Sequence, residues 1–411
     1  MAPSTRSPLA PAAMLDPLPV KGVRFAAIEA GLRYRDRPDL LLIEAAEGTA
    51  VGGVLTRSAV PGHPVPWCRE VVARGRARAV IANAGTANVF RGEEGDRAVR
   101  AEAKAVADAI GCRMEEVLVA STGVIGQRLP VERIEAAVPD LVAALAPDGI
   151  ETAAAAIMTT DTFPKWASRR ADIAGRPVTV TGIAKGSGMI APDMATMLAF
   201  VATDALLPAP LVQRLVEEGA DQSFNAITVD GDASTSDTLL LLATGKAGNP
   251  MPQSADDPAL AGFRQALFAV LKDLALMVVK DGEGATKLVE IRVDGAESDA
   301  SARRIGLEIA NSPLVKTAIA GGDANWGRVL MAIGNAGEKV DLPRIGVAFG
   351  GFPVARNGGA VPDLDEAPID AHLKGREILI EATVGIGPGK AAVWTCDLTH
   401  GYIDINADYR S

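Results

Sequence analysis

The chain has 411 residues, of which 48 % are hydrophobic, 22 % are charged and 4 % are aromatic, and its formal net charge is −10. A chain of this length exceeds one ordinary core, so we expect two or three soluble lobes packed from aliphatic layers. The acidic balance argues against nucleic acid and anionic membranes as partners, because surfaces that bind phosphate need an excess of positive charge.

Three further features restrict the class of protein. The sequence contains neither an apolar run long enough to span a bilayer nor a continuous signal core at its proline-rich start, which predicts a cytoplasmic protein. Its three cysteines are far apart and odd in number, which is typical of a reducing compartment. The three histidines, His63, His372 and His400, are isolated from one another and from the cysteines, so no metal site is predicted. Nucleophilic chemistry in this chain would favour a base other than histidine.

The first half alternates short β-rich runs with longer helical runs, as in a layered α/β protein. Strands are predicted at 40–44, 51–56, 79–82, 117–120 and 178–183. The glycine-containing stretches 83–88 and 121–126 are predicted as loops that follow two of these strands. Helices are predicted at 96–110, where Gly111 is the stop signal, and at 131–145, where Pro139 should start or break a helix.

The second half opens with the apolar run 196–202, which predicts a buried strand. Further strands are predicted at 238–242, 288–293, 345–349, 378–384, 391–395 and 402–405, and helices at 210–218, 258–276 and 299–309. The stretches 245–257 and 354–368 are rich in Gly, Pro and Asp and are predicted as exposed loops.

The strongest candidate for chemistry lies in the run Lys185-Gly-Ser-Gly-Met-Ile-Ala-Pro-Asp-Met-Ala-Thr196-Met-Leu. A glycine-rich loop here leads into a buried strand whose first residue carries a hydroxyl. Cleavage of the bond between Ala195 and Thr196 would give Thr196 a nucleophilic Oγ and an α-amine that can accept its proton, without any histidine. The alternative is that the glycines form a connecting turn and Thr196 is an ordinary strand residue.

The run 185–198 resembles the processing and active-site motif of the ornithine acetyltransferases, also called bifunctional glutamate N-acetyltransferases. Further motifs resemble that family in the same order along nearly the whole chain. They are Ala120-Ser-Thr-Gly-Val-Ile-Gly126, Ile157-Met-Thr-Thr-Asp-Thr162, Ile227-Thr-Val-Asp-Gly-Asp232, Asp281-Gly-Glu-Gly-Ala285, Gly322-Asp-Ala-Asn-Trp-Gly327 and Ile405-Asn-Ala-Asp-Tyr-Arg-Ser411. The chain departs from the family at Ala191-Pro-Asp193, where His-Pro-Asn is commoner, and at Ser411, where Thr is usual.

The resemblance implies a role for each matching residue. Thr196 would be the nucleophile both for self-cleavage after Ala195 and for acyl transfer, and Thr122 and Gly123 would form the oxyanion hole. The implied substrate-binding residues are Thr159, with its neighbour Thr160 less directly matched, and Lys185, Thr196, Glu283, Asn406 and Ser411. Without the resemblance, the segments around Gly123, Lys185 and Glu283 would be interpreted as ordinary turns and a solvated charge.

The same resemblance implies a two-lobed, layered α-β-β-α sandwich that cleaves itself into chains 1–195 and 196–411, two of each forming a heterotetramer. The implied activity is acetyl transfer from N2-acetylornithine to glutamate in arginine biosynthesis. No cofactor is expected, and acetyl-CoA is a further candidate donor. Two alternatives stay open at this point: a self-processing aminopeptidase or amidase, which passes the acyl group to water, and a non-catalytic binding module.

Overall fold

The computed structural model describes residues 6–191 and 197–407, and these residues form two compact units. The sandwich unit contains residues 12–225 and 232–278, and the C-terminal unit contains residues 226–231 and 279–407 together with 6–11. The predicted cleavage boundary between residues 195 and 196 falls within the sequence range of the sandwich unit. Compact units and cleavage products are different divisions of a chain, so the predicted chains 1–195 and 196–411 stay a prediction.

The sandwich unit is built on two sheets. Its strands are β1 (Val23–Ile28), β2 (Leu40–Ala45), β3 (Ala50–Leu55), β4 (Ala79–Ala87), β5 (Val117–Ile125), β6 (Lys165–Ile173), β7 (Arg176–Lys185), β8 (Leu198–Thr203) and β9 (Thr238–Ala243). The first sheet has the order β1-β2-β4-β5 and the second has the order β3-β9-β8-β7-β6. Its helices are α1 (Pro64–Ala73), α2 (Glu93–Ile110), α3 (Val131–Ala143), α4 (Ile150–Ala156), α5 (Ala209–Asp221) and α6 (Ala261–Lys280).

The two sheets bury their inner faces against each other. Leu41 and Val80 of the first sheet belong to the same buried cluster as Phe200 and Leu240 of the second sheet. Because side chains alternate along a strand, the neighbouring residues point to the outer faces. Leu42 accordingly belongs to a separate cluster that includes residues of α2 and α3.

Helices also cover the outer face of the second sheet. α5 packs on β3 and β9. A methyl group placed at Gly182 of β7 would lie 2.9 Å from the Leu274 side chain of α6, so this helix approaches the sheet closely. The order of layers is therefore helix, sheet, sheet, helix, which confirms the expected α-β-β-α sandwich.

The C-terminal unit has one mixed sheet with the order β13-β12-β11-β14-β10-β15. Its strands are β10 (Leu288–Ala296), β11 (Gly346–Phe349), β12 (Phe352–Arg356), β13 (Gly359–Ala360), β14 (Glu377–Thr383) and β15 (Gly389–Cys396). Its helices are α7 (Asp299–Asn311), α8 (Pro313–Gly321), α9 (Trp326–Asn335), α10 (Ala367–Leu373) and α11 (His400–Ala407). Gly306 of α7 allows that helix to pack on Val393 of β15, since an added methyl group would lie 3.0 Å from the valine.

Two predictions of loops are wrong, and both segments lie near the candidate active site described below. Residues 83–88 and 121–126 do not leave the sheet after 82 and 120, because β4 and β5 continue in parallel register to Ala87 and Ile125. Glycine in both strands hid this pairing: Gly85 and Gly123 are paired with each other and have φ angles of +103° and +128°. Such angles are typical of loops, and here they are adopted within a ladder.

Pro139 neither starts nor breaks a helix, because it lies inside α3. Its ring removes one helical hydrogen bond, but Ile134, Val138 and Leu141 on both sides of it are buried in one core, which holds the helix together. The core of the sandwich unit therefore overrides the local helix-breaking signal.

Residues 402–405 form part of helix α11 and not the predicted strand. The helix is favoured by Thr399, whose hydroxyl accepts the Gly401 N–H at 3.1 Å, in the manner of an N-cap. The predicted loop 354–368 is wrong in part, since it contains the end of β12 and the short β13. Among the described residues, no helix is both long and apolar enough to cross a membrane.

Candidate active site

The predicted oxyanion residues lie near the end of β5. Thr122 is buried, and Gly123 lies against the backbone of β4, where an added methyl group would be 2.2 Å from the carbonyl carbon of Gly85. The preceding Ser121 hydroxyl donates to Thr86 O at 3.0 Å and accepts the Asn88 N–H at 2.7 Å. These bonds fix β5 to the end of β4 and to the residue that follows it, so the Thr122–Gly123 backbone is pre-organised as an oxyanion hole requires.

Lys185, the last residue of β7, lies beside Thr122. Its side chain is buried, and its Nζ donates to Thr122 Oγ1 at 3.3 Å. A solvated loop charge is therefore excluded for this lysine. The structure brings together two predicted site residues that lie 63 positions apart in the sequence.

Thr159 joins this cluster through Asp161, and its neighbour Thr160 shares a hydrogen bond with Ser187. The Asp161 carboxylate accepts the Thr159 N–H at 2.9 Å and the Gly186 N–H at 2.7 Å. It also forms an ion pair with Lys165 at 2.7 Å, in which both side chains are fully buried. Burial opposes ionisation of Asp161, but the ammonium groups of Lys165 and Lys185 outweigh it and hold the pKa of this carboxyl well below its usual range. Asp161 is thus an anion that joins two predicted substrate-binding segments.

Asp237 is a site residue that the sequence analysis did not identify. Its side chain is buried, and its Oδ1 accepts the N–H of Met197, the residue that follows Thr196 in the chain, at 2.9 Å. Its Oδ2 has no hydrogen-bond partner among the described residues. Burial raises the pKa of Asp237 well above its usual value, because the ionised carboxylate loses its solvation there.

A sequence signal for Asp237 exists. The residue directly precedes β9, whose Thr238 pairs with Leu198 of β8 in parallel register. The strand that follows the expected nucleophile could have been paired with the predicted strand 238–242. That pairing places the Asp237 carboxyl beside Met197.

The C-terminal unit brings together two more predicted residues. Asn406 of α11 donates its side-chain N–H to Glu283 Oε2 at 2.7 Å, and Glu283 is buried. The loop that carries Glu283 is tied to the start of α11, because Thr399 Oγ1 donates to Gly284 O at 2.7 Å. A side chain at Gly284 would lie 2.4 Å from the Tyr402 nitrogen, so only glycine allows this close approach.

The predicted cleavage residues Ala195 and Thr196 and the predicted substrate-binding residue Ser411 lie outside the described residues. Their roles stay predictions. Within the described part of the chain, no group of three or more His, Cys, Asp or Glu side chains is arranged to hold a metal ion. A cleft of about 920 Å³ lies along β3 between α1 and α5, and it is lined by residues other than those predicted for the site.

Comparisons with known proteins agree along the whole chain. The model of the ArgJ family matches residues 24–411. The arginine biosynthesis bifunctional protein ArgJ of Gluconobacter oxydans is 57 % identical over 412 residues, which cover 99 % of this chain and 97 % of that protein. The protein of the same name from Bradyrhizobium diazoefficiens is 50 % identical over 411 residues, covering 99 % of this chain and 100 % of that protein. A crystal structure of ArgJ from Bacillus halodurans is 39 % identical with a TM-score of 0.49, and it covers 51 % of this chain and 98 % of that chain.

Proposed function

This chain belongs to the ArgJ family, and we propose that it moves the acetyl group of N2-acetylornithine to glutamate, giving ornithine and N-acetylglutamate. Membership in this family confirms the sequence prediction of an acetyltransferase of arginine biosynthesis. The observation that supports the specific reaction is the buried contact between Lys185 Nζ and Thr122 Oγ1 at 3.3 Å. It places an ammonium suited to a substrate carboxylate beside the β5 segment suited to an oxyanion.

In the proposed reaction, Thr196 Oγ attacks the acetyl carbonyl of N2-acetylornithine, and the α-amine of Thr196 accepts the hydroxyl proton. The Thr122 and Gly123 segment stabilises the negative charge that develops on the carbonyl oxygen, and such a donor contributes roughly 10²–10³ in rate. The tetrahedral intermediate collapses with loss of ornithine, whose amine leaves with a proton. Acetyl-Thr196 then reacts with the amine of glutamate and releases N-acetylglutamate.

The two half-reactions need one pocket that accepts both amino acids. Ornithine and glutamate share an α-carboxylate, for which Lys185 is the proposed partner. Thr159 would contact the same substrate, and Glu283, Asn406 and Ser411 would contact its polar groups. The hydrogen bond between Asn406 and the buried Glu283 supports a joint role for this pair.

Several further properties belong to the proposal. The chain would mature by cleavage between Ala195 and Thr196 into the chains 1–195 and 196–411, and two copies of each would form a cytoplasmic heterotetramer. No cofactor would be needed. Both relatives described above are named bifunctional, which supports acetyl-CoA as a second acetyl donor for glutamate.

The test is an initial-rate assay of ornithine release from N2-acetylornithine with and without glutamate, with N-acetylglutamate identified by mass spectrometry. Acetyl transfer predicts that glutamate accelerates ornithine release and accumulates as its acetyl derivative. An aminopeptidase or amidase would release ornithine at a rate that glutamate does not change, and this result would contradict the proposal. The Thr196→Ala variant is the control and should lack both self-cleavage and turnover.

A further inference from the structure

Asp161 is the residue through which the two predicted substrate-binding segments are connected. One segment contains Thr159 and Thr160, and the other contains Lys185 at the end of β7 with the residues that follow it. Asp161 Oδ2 accepts the Thr159 N–H at 2.9 Å, and Asp161 Oδ1 accepts the Gly186 N–H at 2.7 Å. One carboxylate therefore sets the separation of both segments.

The position of this carboxylate is itself fixed by Lys165, the first residue of β6. The Lys165 Nζ lies 2.7 Å from Asp161 Oδ1 and donates also to Phe163 O at 3.3 Å. A fully buried ion pair is generally less favourable than apolar side chains of similar size. Its presence between two substrate-binding segments is therefore better explained by the geometry that it imposes than by stability.

A second link joins the same segments. The hydroxyl oxygens of Thr160 and Ser187 lie 2.6 Å apart and share a hydrogen bond. This bond is between neutral groups, so it is weaker than the charge-assisted bonds of Asp161. The two links differ in strength but constrain the same distance.

We propose that Asp161 is a positioning residue for the acetyl-transfer reaction, which holds Thr159 and Lys185 in the one arrangement that binds the carboxylate of the substrate. The inference rests on the function proposed above. Asp161 acts through the backbone N–H groups of residues 159 and 186. Its loss should therefore raise KM more than it lowers kcat, because the oxyanion segment and the nucleophile are unchanged.

The experiment compares the parent with two variants at this position. Asp161→Asn keeps one acceptor oxygen but leaves the buried Lys165 ammonium without its carboxylate, and this variant risks misfolding. The double variant Asp161→Asn with Lys165→Met removes that stranded charge. We expect the KM values for N2-acetylornithine and glutamate to rise about 10- to 100-fold in the double variant, with kcat within about fivefold of the parent.

The matched control is Asp204→Asn. Asp204 is also buried, and it accepts the Thr179 N–H at 2.7 Å near the opposite end of β7 from Lys185. The Asp204→Asn substitution should lower the unfolding temperature and leave the KM values for N2-acetylornithine and glutamate unchanged. Thr160→Val, which removes only the weaker link, should raise both KM values about two- to fivefold.

Glutamate binding, measured by calorimetry, separates this inference from the proposed function. A parent that binds glutamate but transfers no acetyl group would contradict the proposed function, and the affinities of the variants would still test Asp161. The inference is overturned if the double variant keeps the parental KM values and glutamate affinity and loses only thermal stability, as Asp204→Asn does. It is also overturned if kcat falls while KM stays unchanged.

Discussion

Replacement of Gly123 by alanine should abolish most of the activity through a displacement that the structure allows us to calculate. The added methyl group would lie 2.2 Å from the Gly85 carbonyl carbon and 2.4 Å from its oxygen, all of them backbone atoms. Relief of this contact requires β4 and β5 to separate locally by at least about 1.3 Å, since ordinary carbon–carbon contacts begin at about 3.5 Å. A shift of this size at an oxyanion donor costs about 10²–10³ in kcat, which corresponds to roughly 3–4 kcal/mol.

The control is Gly126→Ala, three residues further along the chain. Gly126 also has a positive φ, +83°, but an added methyl group would meet no atom within 4 Å. Both variants should lose about 1–3 kcal/mol of stability through backbone strain. Steady-state acetyl transfer should fall only in Gly123→Ala. This variant should also unfold at a lower temperature than Gly126→Ala, because its methyl group forces β4 and β5 apart. Equal kcat values for the two variants would show that the contact of Gly123 with Gly85 does not position the proposed oxyanion hole.

Three more predictions follow from single groups. Burial, with a smaller contribution from Glu135, raises the pKa of Glu102 to about 8. The contribution of Glu102 to the free energy of unfolding is therefore complete below about pH 4.5 and is lost as the pH rises to 8. In the parent, denaturant titrations should show that the free energy of unfolding falls by about 1 kcal/mol per pH unit over this window. Glu102→Gln should remove this fall, and an unchanged fall in the variant would contradict the prediction. Lys185→Met should raise both KM values about 10- to 100-fold in initial-rate assays, because the carboxylate loses a charged partner, and unchanged values would exclude this contact. Asn406→Ala should raise KM about fivefold by releasing Glu283, measured in the same assay; a change in kcat alone would contradict it.

The sequence predicted seven of the nine strands that the structure describes in the sandwich unit, missed β1 and β6, and placed the ends of β4 and β5 poorly. The predicted strand 238–242 contains four consecutive leucines and is buried on both faces, and this pattern is independent of the partner strand. The ends of β4 and β5 depend on their partner, since Gly85 and Gly123 stay in the sheet only because they face each other. A local pattern cannot report a long-range pairing of this kind.

Several helices were not predicted for related reasons. Helix α1 begins with Pro64 and contains Pro66, which read locally as turn residues, and its buried Cys68 and Val71 are placed by the sheets. Residues 402–405 contain β-favouring side chains, and the helix there depends on Thr399 at its start. Tertiary contacts decide the structure of α1, and a local capping bond just before residues 402–405 decides that of α11.

Site residues were predictable where they lie in a recognisable motif. They were missed where their role depends on a contact with a residue far away in the sequence. Thr122 and Lys185 were named from their motifs, and the structure brings them together. Asp237 lies 40 residues from Met197, its hydrogen-bond partner, in a segment with no motif of its own. The role proposed for Asp161 depends on contacts to residues 159, 165 and 186, which only the fold reveals.

The central claim is that Thr196 becomes an N-terminal nucleophile that carries the acetyl group. Mass spectrometry of the purified protein before and after incubation with N2-acetylornithine tests it directly. The account predicts two chains, 1–195 and 196–411, and a gain of one acetyl group on the peptide that begins with Thr196, which glutamate then removes. An intact chain, or an acetyl group that stays on another residue while turnover proceeds, would contradict it.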